Sequence, residues 1–258
     1  MKTVAIINRK GGVGKTTATI NIGGALAAMG HRVLLADLDE QGDMTQALGV
    51  SMERGSKPKD MGAFLNATVA QAAKWALTEV APNLWLIPSH ENFGPELVDI
   101  QELDDYELLL RDRLAGLAGK VDYVLLDCPP SFGDGTAVMA FTAADAYVVP
   151  TDVEPSSVRG INVVMQHTSD FIAQSNRPLK FGGFVFSQFN LNQRGTLKKL
   201  LASDLLAGYG LESLLGCARQ DSAIIESQNE GQPVSIYAPS SRAAQDFSDI
   251  ATALLKRI

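Results

Sequence analysis

Cysteine is nearly absent from this 258-residue chain: there are two, Cys128 and Cys217, and neither sits in a C-x-x-C spacing. A disulfide framework or a zinc site therefore has no support in the spacing, and Cys128, at the end of an apolar run, reads as a small core residue. The three histidines, His31, His90 and His167, form no motif with one another or with acids, and Trp75 and Trp85 read as packing residues. No apolar run approaches the roughly 18 residues of a membrane span. No signal peptide precedes the first apolar segment, so the chain is expected to be cytoplasmic. Cationic excess is missing too: 22 Lys and Arg stand against 29 Asp and Glu, for a net charge of −7. That balance argues against wholesale electrostatic binding to DNA or anionic lipid, while leaving room for a local basic face.

What is present is apolar and periodic. With 46% hydrophobic residues, the chain can bury one sizeable core, and repeats, low-complexity tracts and long linkers are all lacking, so one domain over 1–258 is expected. Apolar runs predict strands at Val4–Ile7, Val33–Ala36, Leu84–Ile87, Tyr123–Leu126, Ala146–Val149 and Phe184–Phe186. Several are continuous, as in strands buried on both faces of a parallel sheet. Between them, Tyr106, Leu109, Leu110, Leu114 and Leu117 share one helical face, as do Phe247, Ile250, Leu254 and Ile258. Alternation of this kind predicts an α/β fold, a doubly wound, mostly parallel sheet with helices on both faces. The charged stretch Ser51–Asp60, with Gly55 and Pro58, reads as a mobile loop.

The segment Lys10-Gly11-Gly12-Val13-Gly14-Lys15-Thr16-Thr17 directly follows the first strand. A strand ending in a glycine-rich turn that opens a helix is a phosphate cradle, because backbone N–H groups and the helix N-terminus converge on the anion. Lys15 is placed for the β- and γ-phosphate oxygens and the Thr16 hydroxyl for Mg²⁺. Where the usual pattern opens with glycine, Arg9 stands, and a second lysine, Lys10, precedes the glycines. This deviant Walker A segment resembles that of the ParA/MinD branch of P-loop ATPases. The resemblance implies that Lys10 reaches across a dimer interface to the partner's nucleotide. The family usually has Gln at position 9.

The second strand ends in Asp37-Leu38-Asp39-Glu40-Gln41-Gly42. Residues at the carboxyl edge of such a sheet face the ligand crevice. The segment is similar to the family's D-x-D-x-Q-G, which implies that Asp39 orients or activates the attacking water and that Asp37 supports the metal shell. Tyr123–Leu126 delivers Asp127 to its tip as a Walker B carboxylate, suited to hold a Mg²⁺-bound water. The following Cys-Pro-Pro-Ser-Phe-Gly resembles the family's γ-phosphate-sensing switch, in which the prolines stiffen the entry and Gly133 permits movement. Further matches at Val149-Pro150, Glu154-Pro155, Gly160 and Gln232-Pro233-Val234 carry the likeness along the whole chain. By the same resemblance Ser187, Arg219 and Gln220 fall on the adenine side, although Ala218 replaces the family's proline.

The resemblance implies a switch ATPase that uses ATP and Mg²⁺, forms a homodimer on binding ATP, and is stimulated by a ParB-like or cargo-adaptor protein. It also implies nonspecific binding to nucleoid double-stranded DNA. Arg194, Lys198 and Lys199 are the candidate contacts, with Lys256 and Arg257 adding charge at the end of the chain. The chain is similar to the shorter members, without an N-terminal DNA-reading domain. Two alternatives stand beside this reading. A MinD-like membrane-cycling regulator would need a basic amphipathic C-terminal helix, whereas Asp246–Ile258 reads as core packing. An iron–sulfur reductase component would need cluster cysteines.

Overall fold

Continuous apolar runs leave no polar face for water, and in the computed structural model they become the interior strands of one eight-stranded sheet. The structure describes residues 1–51, 59–131, 135–189 and 196–258, without the side chains of 158 and 196–198. The first half contains β1 (Lys2–Ile6), α1 (Lys15–Ala28), β2 (Val33–Asp37), α2 (Asp43–Ala47), α3 (Met61–Asn66), α4 (Val69–Ala72), β3 (Thr78–Ala81), β4 (Leu84–Ile87), α5 (Phe93–Gln101), α6 (Leu109–Ala115) and β5 (Tyr123–Asp127). Then come α7 (Thr136–Ala143), β6 (Ala146–Thr151), α8 (Pro155–Ser175), β7 (Lys180–Ser187), α9 (Thr196–Tyr209), β8 (Leu214–Ala218), α10 (Ser222–Asn229), α11 (Val234–Tyr237) and α12 (Arg242–Leu255).

The strand order is β3-β4-β2-β5-β1-β6-β7-β8. Only the β3–β4 pair is antiparallel; the other neighbours run parallel. The mostly parallel, doubly wound architecture is thus the one expected. Strand periodicity divides the core. Val4, Ile6, Val33 and Leu35 face a layer built from α1, α11 and α12, while Ala5, Ile7, Leu34 and Ala36 face the layer of α3, α5, α6, α7 and α8. Each layer buries aromatic and branched residues, Phe247 and Ile250 on one side and Phe64, Phe93 and Phe184 on the other.

The structure departs from sequence expectation in three places. The edge strand β3 is only half-buried and carries no apolar run, and β8 has Gly216 in its middle; periodicity flags neither. The face at 106–117 holds, with Leu110, Leu114 and Leu117 buried in one cluster and Tyr106 and Leu109 packed against it, but the helix is shorter than expected: a 3₁₀ turn at Tyr106–Leu108 precedes α6. Residues 52–58 of the stretch read as a mobile loop lie outside the described residues. The terminal helix is as expected: the Ser241 hydroxyl accepts from the Ala244 N–H, and Phe247, Ile250 and Leu254 are buried. Among the described residues no helix is long and apolar enough to cross a membrane.

The packing of α12 on β8 depends on the missing side chain at Gly216. A Cβ there would lie 2.6 Å from Ile250 Cγ1. Gly216→Val should therefore lower unfolding free energy by about 1–3 kcal/mol through overpacking, read as a lower urea midpoint. Gly208→Ala, in α9 with open space at its Cβ, should leave stability unchanged or raise it by up to about 1 kcal/mol. Equal destabilisation by the two would show that the α12–β8 contact is not tight.

Candidate nucleotide site

β1 lies between β5 and β6; the chain leaves β1 for β2 on one side, while β5 connects across β1 to β6 on the other, and this change of direction opens a crevice at the carboxyl ends of the strands. Residues 7–14 cross that crevice. Gly12 and Gly14 have φ of 75° and 86°, a region that a residue with a side chain adopts only under strain. Open space surrounds the Cβ positions of Gly11 and Gly12, while a Cβ on Gly14 would meet Ser187 Oγ at 3.0 Å. The loop therefore presents bare backbone on its outer side and packs against the tip of β7 on its inner side. Val13 is buried beneath it and Lys15, the first residue of α1, is 8% exposed.

Two carboxylates end neighbouring strands. Asp37 and Asp127 are register partners on β2 and β5 and are fully enclosed. Thr16 Oγ1 donates to Asp127 Oδ2 at 2.7 Å and Thr19 Oγ1 to Asp127 Oδ1 at 3.2 Å. Asp37 Oδ2 accepts from the Thr45 N–H at 3.0 Å and from its hydroxyl at 2.6 Å. Burial pushes both carboxyls above the ordinary range, and for Asp37 the charge on Asp127 adds to it. Hydroxyls and a backbone amide supply most of their hydrogen bonds, and Lys15 is the cation that offsets Asp127. Such a set, two hard carboxylates and a hydroxyl short of positive charge, fits Mg²⁺, which takes few protein ligands and completes its shell with water and phosphate. Among the described residues no group of three or more His, Cys, Asp and Glu forms a metal site.

Asp39 is half-buried, its Oδ1 accepting from the Gln41 N–H at 3.1 Å while its own N–H donates to Asp37. It borders a cavity of about 800 Å³ whose walls include Gly11, Gly12, Lys15 and Thr16. Thr17 also lines the cavity, and its hydroxyl accepts from Gln228 Nε2 at 3.5 Å. Lys10 does not line it. Its Nζ is instead held by Asp152 at 2.8 Å, Glu154 at 3.1 Å and Ser157 Oγ at 3.0 Å, at the start of α8. The Asp152 contact raises the lysine's pKa. Burial pushes the Asp152 carboxyl up, but hydrogen bonds from Lys10 and Ser157 outweigh it and hold it below its usual range.

The remaining sequence candidates scatter. Ser187 reaches the loop. Gln220 is exposed, and Arg219 clamps α12 to the end of β8, with NH2 2.5 Å from Asp246 Oδ1 and Nε 3.0 Å from Oδ2. Neither Arg219 nor Gln220 borders the cavity. Lys199 is exposed on α9, Lys256 is exposed and Arg257 donates to Gly182 O. Arg194 and the Lys198 side chain lie outside the described residues, as do 132–134 of the switch segment. Cys128 is sealed in the core and Cys217 partly buried on β8.

Sequence reasoning missed three parts. The wall opposite the phosphate loop is α5, through Phe93, Gly94, Leu97, Val98 and Gln101. Asn8, fully buried, donates to Pro150 O at 2.7 Å and accepts from the Lys10 N–H, fixing the lysine's backbone. The acids on Lys10 come from a loop some 140 residues away. The Glu154-Pro155 pair, which marks a helix start, was their one local trace.

A family profile described as an AAA domain matches residues 1–181. Over 259 aligned residues the chain is 32% identical to the chromosome partitioning protein ParA of Caulobacter vibrioides, covering 100% of this chain and 95% of that protein. The chain belongs to the ParA/MinD family of P-loop ATPases. The chromosome-partitioning ATPase Soj of Treponema pallidum is 29% identical over 99% of this chain and 98% of its own length. Among solved structures, the cobyrinic acid a,c-diamide synthase of Mycobacterium smegmatis with bound ATP analogue and magnesium superposes with a TM-score of 0.81 at 28% identity, covering 99% of this chain and 95% of that one. The fold is thus matched over nearly the whole chain.

Because Asp246 is 8% exposed and Arg219 is its cation, Arg219→Ala should leave a buried charge short of partners and cost about 1–3 kcal/mol, measured by urea denaturation. Unchanged stability would show that the clamp is not formed in solution.

Proposed function

We propose that this ParA/MinD-family ATPase is an ATP-gated dimer that positions or segregates a cargo along DNA, with residues 1–258 acting as one unit. One observation carries the reading: an intact phosphate loop with a second lysine whose ammonium stands outside its own cleft. A cation so placed can serve the nucleotide of another copy. The relatives named for chromosome partitioning support the partition or positioning role.

Within the cleft, Gly11–Gly14 and the N-terminus of α1 bind the triphosphate, Lys15 pairs with its β and γ oxygens, and Thr16, Asp37 and Asp127 hold the Mg²⁺ site. Bound Mg²⁺ supplies neutralisation of charge on the phosphate oxygens. Asp39, on the rim, orients the attacking water and accepts its hydrogen bond. Lys10 of the second copy adds a charge at the γ-phosphate, so the hydrolytic site is complete only in the dimer. Ser187, against the phosphate loop, lies on the adenine side, whereas Arg219, tied to Asp246, and Gln220 stand outside the cavity and take no direct part there. Hydrolysis returns the monomers, and a ParB-like or cargo-adaptor activator sets its rate. The dimer brings two copies of the basic residues Arg194, Lys198 and Lys199 to a nonspecific footprint on nucleoid DNA in the cytoplasm. The net charge of −7 requires that this footprint be local.

Light scattering coupled to size exclusion tests the dimer. With Mg²⁺ and a non-hydrolysable analogue the protein should run as a dimer and Lys10→Ala as a monomer. Asp39→Ala should still dimerise but lose about 10²-fold or more of its hydrolysis. A monomeric wild type, or unimpaired turnover by Asp39→Ala, overturns the reading. Lys198→Glu/Lys199→Glu should weaken ATP-dependent binding to random-sequence duplex and flatten its salt dependence.

A further inference from the structure

The loop that carries Asp39 is closed on the carboxyl group of Asp37. At its start the Asp39 N–H donates to Asp37 Oδ1 at 3.2 Å; at its end the Thr45 N–H and hydroxyl both donate to Asp37 Oδ2, at 3.0 and 2.6 Å. Within this ring Asp39 is held by its own backbone. Its Oδ1 accepts from the Gln41 N–H at 3.1 Å, and its carbonyl accepts from the Gly42 N–H at 3.0 Å. The Asp39 carboxylate therefore goes where the loop goes, and Thr45 fixes where that is. It is 2% exposed in the first turn of α2, and its hydroxyl oxygen also accepts from the Ser89 N–H at 2.9 Å, just beyond β4. The two backbones meet at the same place, since a Cβ on Gly42 would stand 3.0 Å from Ser89 O. Met44 and Leu48 of the same segment are buried in one cluster with Ala18 and Ile22 of α1, so α2 is seated in the layer of the helix that follows the phosphate loop. Leu38, Asp39, Glu40 and Gln41 border the cavity, whereas Thr45 does not.

We propose that Thr45 is a positioning residue for ATP hydrolysis, its hydroxyl fastening the Asp39 loop to the tips of β2 and β4 at once. A hydroxyl is the small neutral group that donates and accepts together, and both capacities are used here: the proton goes to Asp37 and a lone pair to the Ser89 N–H. Without it the loop keeps the two backbone bonds to Asp37 but loses its hydrogen bond to the tip of β4. Asp39 is then no longer held at one distance from the phosphate loop. The inference rests on the hydrolytic role proposed for Asp39.

Steady-state ATP hydrolysis by the full chain tests it, with analogue affinity in Mg²⁺ measured by calorimetry and folding checked by thermal melt. Thr45→Val keeps the shape and the backbone N–H but removes the hydroxyl. Its kcat should fall about 10-fold or more, the scale of a slightly misplaced reacting group. Affinity for the analogue with Mg²⁺ should stay within about twofold, because Thr45 lies outside the cavity and the loss is confined to the chemical step. Thr45→Ser restores the hydroxyl and should recover most of kcat; Thr45→Ala gives the same readout as the valine variant should that one not fold. In the Asp39→Ala background Thr45→Val should cost nothing further, since no carboxylate is left to place. Wild-type kcat in the folded variants lacking the hydroxyl, a loss of analogue affinity that matches the loss in kcat, or no rescue by Thr45→Ser overturns the proposal. So does a fully multiplicative loss in the Asp39→Ala background. Unimpaired hydrolysis by Asp39→Ala, by contrast, overturns the parent reading.

Discussion

Two carboxyl groups buried side by side at the tips of β2 and β5 set the terms for everything around them. Asp37 and Asp127 are out of water, next to each other in the sheet register, and bonded mainly to hydroxyls and amides. An isolated pair of this kind works against folding, because desolvation and mutual repulsion both disfavour the charged forms. It persists because the surrounding sheet over-determines it. Val33–Ala36 and Tyr123–Leu126 are held by parallel neighbours on both sides, and their register leaves the two acids no other place. The stored cost is the means by which a site prefers a cation, so a stabilising apolar replacement would remove function with the strain.

Thr16 converts that preference into a link between loop and strand. Its hydroxyl reaches Asp127 from the first turn of α1, so the phosphate loop, the helix behind it and the Walker B strand move as one piece. α1 is itself fixed by close backbone approach: a Cβ at Gly23 would meet Leu35 Cδ2 at 2.6 Å, and Asn21 accepts from the Val234 N–H at 2.8 Å. The rigid half of the cleft is thus built on α1 and its neighbours, β2, β5 and α11. The opposite half is α5, whose Val98 is 60% exposed, and it is tied to the sheet through the Asp37–Thr45–Ser89 bonds.

The legible parts were those in which one short segment contains both the geometry and the chemistry. Gly11–Gly14 followed by Lys15 and Thr16 needs only its own backbone to make a cradle, and Asp37 and Asp127 sit at strand tips that apolar runs announce. The α5 wall was not legible because it lines the cleft through Phe93, Gly94, Leu97, Val98 and Gln101, residues that carry no motif and that only the fold brings opposite the phosphate loop. β8 escaped notice because Gly216 interrupts its apolar run to admit Ile250, and β3 because an antiparallel edge strand can be half-polar. Arg219 reads as a loop cation in sequence; only the fold places Asp246 against it.

Lys10 shows most clearly why sequence alone stops short. In the free chain its ammonium already has three partners, so reaching a second molecule's phosphate exchanges one set of charge-assisted hydrogen bonds for another. In the proposed dimer the gain would be the difference between two comparable terms, which suits an assembly that must also come apart. The loop holding the lysine bears strain of its own: Val153, between the two acids, is β-branched and buried yet has a φ of 51°, a conformation that costs of order 1–3 kcal/mol. Glu154, 48% exposed on its side chain, contributes a screened charge, whereas Asp152, at 20%, supplies the shorter contact. Release of Lys10 would leave Asp152 facing Ser157 alone, so the affinity of the tether is set chiefly by one carboxylate. A signature lysine held this way is neither free nor committed, and its availability to a second copy is a property of the loop before α8 as much as of the phosphate loop.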